Sequence, residues 1–427
     1  VRICVISRWN EGGWFAYLCK QAGHEVMLVV EDEHYRKALR GLIDAVDTAG
    51  NAADYDLIVY DSSGMGKDAD ASRLIAPTIG GSQLADKLEH DRVFGIQYME
   101  RCGIRVPVWE HFHDISDGIR YIKKSKRGRF VFKPCGDGAD VSCTYVSKSA
   151  EDLLEYIDVL YKRNPQKEFI LQEFAHGTEV STEMWVNESG YHAINFTIEA
   201  KQFMAGDIGP NTGCAGNLVW MPNRETTLFQ RGLKKAYGPL RDDGFVGMID
   251  LNTIVTDEGI LGLEWTPRFG YEGSCNLTRL LPIEFGDFMY RVAANETMPD
   301  LTPKHSFCAS VRLAIPPYPL SDGPDKLYRE GVPISGLTPK VLDKFYARDV
   351  RCEETNEDKL ETAGVDGWIG SVLAVGPTIH DAFCSTKEMI DSLKIPDMMY
   401  RNDIESVAAR RYLALEQGGW LRTTYGS

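Results

Sequence analysis

Short apolar runs alternate with helical patterns from residue 1 to about residue 115. Arg2–Ile6, His24–Val30 and Asp56–Tyr60 read as strands, with a helix at Trp14–Ala22. Strands separated by helices argue for βαβ units and a parallel sheet. Leu84–Cys102 reads as one helix ending near Gly103. Beyond Val106 the rhythm changes. Helices are expected at Ile115–Lys124 and Leu153–Lys162, and strands at Arg129–Pro134, Cys143–Val146 and Phe169–Phe174. His192–Glu199 is a further strand, Lys201–Gly216 reads as a long loop, and helices follow at Thr226–Tyr237 and Pro282–Asn295. Between those two helices lie two strand-like segments, Phe245–Val255 and Gly259–Thr266, joined by a turn. After Thr302 come strands at Ala309–Ile315 and Gly370–Val375 and helices at Ile379–Leu393 and Ile404–Gln417. The pattern predicts an α/β and α+β multidomain protein divided at 1–115, 116–187, 188–300 and 301–427.

Composition narrows the function classes. With 427 residues the chain is too long for one core. It is 43% hydrophobic and 26% charged, as ordinary globular proteins are. No apolar run approaches the ~20 residues of a membrane span, and the N-terminus has no secretory pattern. A formal charge of −15 without a Lys/Arg-rich stripe argues against nucleic-acid binding. The ten scattered cysteines contain no C-x-x-C pair, which points to reduced thiols in a cytoplasmic protein. His111 and His113 flank Phe112, but no second ligand pair follows, so they read as non-ligands. Asn187-Glu-Ser and Asn276-Leu-Thr match the glycosylation pattern by chance if the compartment is right.

The most informative stretch is Gly259–Gly270. Centring the turn on Asp257 puts Asp250 opposite Glu264, where like charges about 5 Å apart repel. A cation between them, such as Mg²⁺ shared with substrate phosphates, answers that need, and Arg268 lies just beyond. The plainer alternative is a solvated acidic rim, and a two-residue turn would shift the register and separate the carboxylates. Lys133 before the small-residue loop Cys135–Ser142 fits a phosphate cover. The turn Ser7–Gly13 leads into a helix N-terminus able to hold an anion, though it lacks a full G-x-G-x-x-G. Gly209-Pro-Asn-Thr-Gly213 is set for tight turns and reads as part of a substrate-lining loop.

Taken in order, Lys133 with its Gly loop, Gln172–Glu179, Gly209–Gly213 and Glu264–Gly270 resemble the ATP-grasp ligases, and within them the phosphoribosylamine–glycine ligase family. Gly367–Val375 with Met399–Ile404 resembles that family's C-terminal domain. The resemblance implies a Rossmann-like N-terminal domain, an ATP-grasp core with a lid subdomain, and a small α+β C-terminal domain. It implies ATP and Mg²⁺, with Mn²⁺ as an alternative ion. The partners would be a carboxylate, glycine or another amino acid, and an amine acceptor, in a monomer or homodimer.

By the same resemblance Arg92, Lys133, Gly136, Gly138, Gln172, Glu173, Phe174, Ala175 and Glu179 would bind ATP. Asp250, Glu264 and Thr266 would face the metal. Gly12, Gly13, Ser62, Ser63, Gly209, Pro210, Asn211, Thr212, Gly213 and Arg268 would line the substrate site. Arg268, Lys201 and Asp207 would serve catalysis, Asp207 by taking a proton from the attacking amine. Three departures stand out. Arg92 replaces the family's usual Lys, and Thr266 its usual Asn ligand. Gly12-Gly13-Trp14-Phe15-Ala16 replaces a Gly-Gly-Arg-Glu-His run that helps hold phosphoribosylamine. The first two leave a non-catalytic nucleotide binder as a rival reading. The third opens the acceptor to a different amine, such as a modified nucleotide.

Overall fold

The computed structural model describes residues 1–126, 128–136, 144–163, 168–320 and 329–423. The first sheet is parallel, as the βαβ rhythm demands. Its strands β1 (Arg2–Ser7), β2 (Glu25–Val30), β3 (Ala45–Val46), β4 (Leu57–Tyr60) and β5 (Thr78–Ile79) lie in the order β3-β2-β1-β4-β5. Helices α1 (Gly13–Gln21) and α2 (Gly66–Arg73) make the crossovers. The expected helix 84–102 is two helices, α3 (Gln83–His90) and α4 (Arg92–Arg101). Asp91 divides them because its carboxylate accepts from Phe94 N and caps the second helix.

A second, antiparallel sheet has the order β6-β9-β7-β8, from β6 (Trp109–Phe112), β7 (Phe130–Cys135), β8 (Tyr145–Val146) and β9 (Glu168–Glu173). Phe130, Phe132, Phe169 and Leu171 line one face and bury it under α5 (Ile115–Lys124) and α6 (Ala150–Arg163). The other face carries Lys133, Ile170 and Gln172.

The third sheet organises the molecule. Its eight strands run β14-β13-β10-β11-β12-β15-β20-β17, all antiparallel. They are β10 (Thr178–Val186), β11 (Tyr191–Met204), β12 (Ile208–Trp220), β13 (Gly247–Thr256), β14 (Gly259–Thr266), β15 (Phe307–Ala314), β17 (Phe345–Ala347) and β20 (Trp368–Gly376). The C-terminal segment therefore completes this sheet, and it adds a small sheet of its own from β16 (Pro333–Ile334), β18 (Arg351–Glu353) and β19 (Asn356–Glu361). Divisions at 115/116 and 187/188 would each cut a strand from its sheet: β6 belongs with the four-stranded sheet, β10 with the eight-stranded one.

The expected loop 201–216 is instead a long hairpin of β11 and β12 turning at Ala205–Asp207. Pairing slips between Ala200 and Gln202 and again before Met204. Gly209 (φ +81°) and Gly213 (φ +76°) supply left-handed backbone there. A glycine-rich strand with slipped register has the composition of a loop.

Trp14 ties the parallel sheet to the C-terminal segment. It is fully buried, its indole N–H donates to Leu342 O at 2.7 Å, and its ring meets Tyr346 edge-on at 5.7 Å. Trp14→Ala should cost about 3–5 kcal/mol of unfolding free energy, read from denaturant titration. A cost under about 1 kcal/mol would mean that the two units are held together elsewhere.

Candidate active site

Side chains alternate across a strand, so the central strands of the large sheet present polar rows on one face. Glu183 lies opposite Asp250, and Asp250 opposite Thr266. The neighbouring row is Ser181, Asn252 and Glu264. Asp250 is thus not directly across from Glu264, as a turn centred on Asp257 would have placed it. The turn has two residues, Asp257 and Glu258, between paired Thr256 and Gly259, which moves the register by one. That shift alone would have set Trp265 against Asp250 and sent Glu264 to the far face. A bulge at Asn252/Thr253 leaves Leu263 unpaired and restores the face. Asp250 and Glu264 end as diagonal neighbours lining one cavity of about 260 Å³.

That cavity also takes Glu183, Glu199 and Lys201 from the sheet, and Glu272, Arg312 and Trp368 from its C-terminal side. Burial, with Glu183 and Glu199 as neighbouring charges, holds the Asp250 carboxyl well above its usual range. Burial also raises Glu183, and it pushes Glu199 up to about 7. Lys201 resists its own burial: Glu179 at 2.6 Å, Glu264 at 3.8 Å and Glu199 keep it protonated. Glu264 is also pushed up by burial, but Lys201 and Lys133 outweigh that and hold it below the usual range. Its side chain keeps 57% exposure to the cleft.

Several oxygens in this cluster lack a partner. Glu183 Oε1 accepts from Thr197 Oγ1 at 2.7 Å, whereas Oε2 of Glu183, Oδ1 of Asn252 and Oε2 of Glu272 are buried without a hydrogen bond. Unsatisfied carboxylate and amide oxygens beside mutually repelling acids are the donor set of a hard divalent cation, so the residues present fit Mg²⁺. Thr266 lines the same cavity.

A second cavity, of about 300 Å³, shares Glu264, Thr266 and Arg268 with the first and is bounded by α3, α4, Arg92 and Lys133. Burial lowers Lys133 to about 8, aided by Arg92 and Lys201 and opposed by Glu264. Its ammonium lies 3.4 Å from Leu263 O, and Arg92 donates to Thr144 Oγ1 at 3.1 Å. Arg268 stands where the cavities join, its Nε 2.9 Å from Glu89 Oε1. Gln172 is buried with its Nε2 unpartnered, an orphan donor at the end of β9. Glu173 follows at the strand end, its N–H given to Val108 O. Phe174 is held by the Arg129 guanidinium 3.7 Å from its ring, and Ala175 continues towards β10. Glu179 serves Lys201 and Asn252. Gly136 closes β7, and Gly138 lies outside the described residues.

Other expected residues are divided. Asn211, Thr212 and Gly213 line the smaller cavity, and Thr212 O accepts from Arg312 at 3.1 Å. Gly209 and Pro210 are exposed nearer the hairpin tip. Asp207 does not reach the cavity: it sits at that tip, 2.8 Å from the buried Arg401 guanidinium. At the N-terminal loop an internal carboxyl stands at the helix end, because Gly12 N–H, just ahead of α1, donates to Asp61 Oδ2. Burial and the neighbouring Glu11 push Asp61 up to about 7, and Ser62 Oγ donates to its other oxygen. Gly13 opens α1, and Ser63 is half-buried beside Ser62.

Sequence reasoning missed Glu183, Glu199, Glu272 and Arg312. The first had a signal: Glu179, Ser181 and Glu183 alternate with Val180, Thr182 and Met184, a period of two with one polar face. Arg312 had none. Its pairing with Glu272 at 2.7 Å and its place 3.7 Å from the Trp368 ring join three distant segments.

Among the described residues no helix is long and apolar enough to cross a membrane, and the nine described cysteines are free. Asn187 and Asn276 are buried, so neither glycosylation match is an accessible acceptor.

Residues 90–273 match the family model for the phosphoribosylglycinamide synthetase ATP-grasp (A) domain. Phosphoribosylamine–glycine ligase of Listeria monocytogenes serotype 4b is 24% identical over 96% of this chain and 90% of its own. The chicken trifunctional purine biosynthetic protein adenosine-3 is 23% identical over 76% of this chain and 33% of its own. The crystal structure of the Thermotoga maritima phosphoribosylamine–glycine ligase superposes with a TM-score of 0.70 at 20% identity, covering 94% of this chain and all of that one. Biotin carboxylase from Campylobacter jejuni shares the fold at a TM-score of 0.64 and 14% identity, over 99% of this chain and 98% of that one. The chain is thus similar to phosphoribosylamine–glycine ligases over nearly its whole length, and the match to their ATP-grasp domain model spans residues 90–273.

Proposed function

We propose that this protein is an ATP-dependent carboxylate–amine ligase that forms an amide through an acyl phosphate, with glycine as the acyl donor. The observation that carries the reading is the junction of the two cavities at Glu264, Thr266 and Arg268. One side offers Lys133 and Arg92 to phosphates. The other offers an acidic, cation-demanding floor. ATP would lie between the four-stranded and eight-stranded sheets, with the orphan Gln172 amide available to the base. Mg²⁺ held by Asp250, Glu264 and Glu183 would neutralise phosphate charge.

A carboxylate is a poor electrophile until its oxygen is phosphorylated. Transfer of the γ-phosphoryl group depends chiefly on positioning and charge neutralisation. Lys201 and Arg268 supply positive charge on one side of the transfer, and Lys133 supplies it on the other below about pH 8. Water would hydrolyse the acyl phosphate, so the transfer requires a site shielded from it. Glu199, lining the cavity with a carboxyl poised near neutrality, is better placed than Asp207 to accept the amine proton.

A second reading concerns the acceptor. Asp61 takes the Gly12 N–H ahead of α1 and Trp14 is committed to the core, so a phosphate on the amine would meet the Asp61 carboxyl there. This favours an amine other than phosphoribosylamine. Glycine-dependent hydroxamate formation with MgATP and hydroxylamine tests the shared chemistry. Adding phosphoribosylamine or other amines then tests the acceptor. No hydroxamate with any amino acid and no amine-dependent ADP would leave the nucleotide-binder reading standing.

Two variants probe the charges. Asp250→Asn should lower glycine-dependent ADP release by about 10²-fold or more, since the metal supplies several kcal/mol of charge stabilisation. The folded-state pKa of Asp250 is raised, so ionising it costs stability as pH rises through that value. At pH 8 without Mg²⁺, D250N should therefore melt at or above the wild type, and it should lose the Mg²⁺-dependent rise in Tm. A metal-dependent rise equal to wild type would refute the assignment. Lys133, lowered to about 8, loses its proton as pH rises through that value in the unliganded protein. Calorimetric Kd for ATP should then weaken by up to about tenfold per pH unit above 8. Lys133→Arg, charged throughout, should show a flat profile.

A further inference from the structure

The four-stranded sheet carries a second group of ligating side chains, apart from the catalytic cavity. His111 on β6 pairs with Ile170 on β9, and continuing that register sets His113 across from Glu168 at the start of β9. Nε2 of His111 lies 3.3 Å from Glu168 Oε2, and Nδ1 of His113 lies 3.5 Å from Glu168 Oε1. The ligand atoms of all three residues fall within 4.8 Å of one another. Four-coordinate zinc with bonds of ~2.0–2.1 Å separates its ligands by about 3.3–3.4 Å, so the group needs little rearrangement to close on an ion. His111 Nε2 is out of reach of solvent yet makes no hydrogen bond. His113 is 71% exposed, which leaves a side open to water as a further ligand.

We propose that His111, His113 and Glu168 form a binding site for a divalent transition-metal ion of the Zn²⁺ class. Two imidazoles select such ions over Mg²⁺, which prefers the all-oxygen cluster around Asp250. The spacing of His111 and His113 had suggested non-ligands because no second pair follows in sequence. The third ligand comes instead from the paired strand. Glu168 also pairs with Cys135 on β7, two residues beyond Lys133, and its carboxyl carbon lies 3.1 Å from where a Cβ on Gly136 would stand. An ion here cross-links β6 to β9 beside the strand that carries the phosphate-facing lysine.

The test is Zn²⁺ titration of the full chain against a chromophoric chelator, in excess Mg²⁺ to fill the oxygen sites. Co²⁺ binding is followed in parallel by its visible absorption. The wild type should bind one ion that His111→Ala and Glu168→Gln each weaken by about tenfold or more. The Co²⁺ band should vanish in both variants. Both should keep wild-type ATP affinity, which shows that they fold. Cys384→Ser, which removes the exposed thiol 3.4 Å from His380, should leave the titration unchanged. Equal Zn²⁺ binding and equal Co²⁺ spectra in wild type, H111A and E168Q would overturn the site, as would a wild type that binds no Zn²⁺ or loss of the ion in C384S.

Discussion

Two carboxylates face each other across neighbouring strands in the middle of an antiparallel sheet, and both are buried. At about 5 Å and an effective dielectric of 20, two such charges repel by about 3 kcal/mol before any desolvation is counted. Glu183 and Asp250 can sit there only partly protonated or with a cation beside them. Lys201 on the adjacent strand is already committed to Glu179 and Glu264. The remaining deficit is a standing demand for positive charge, of the kind a divalent ion would meet. The site's chemistry follows from that imbalance.

The eight-stranded sheet is what makes the imbalance tolerable. Hydrogen bonding along nine paired positions between β10 and β13 locks Glu183 against Asp250. The bulge in β14 then decides which face Glu264 takes. A single unpaired residue, Leu263, keeps the third carboxylate in the cluster and brings its own backbone oxygen to Lys133. The same irregularity therefore shapes both the acidic floor and the wall that carries Lys133.

The two ends of the chain close the site in different ways. The C-terminal segment extends the sheet and contributes Arg312, whose charge is fixed by Glu272 and whose guanidinium stacks on Trp368. The N-terminal loop closes inward. Asp61 accepts the Gly12 N–H ahead of α1, and Arg348 ties Glu11 to Asp366 behind it.

Local pattern determined much of this protein. The βαβ rhythm of the first residues, the helices 379–392 and 404–417 and the existence of the hairpin around Asp257 were all legible, because each depends on neighbours in sequence. The glycine-rich strand β12 was misread as a loop, since its composition reports backbone freedom and only its partners make it a strand. Register was hidden for a similar reason: a bulge is a property of two strands together. The acidic cluster, the Asp61 contact, the Arg401 tether on Asp207 and the meeting of His111, His113 and Glu168 all join residues far apart in the chain. Such contacts are set by how sheets stack and strands pair, and only the folded structure decides them.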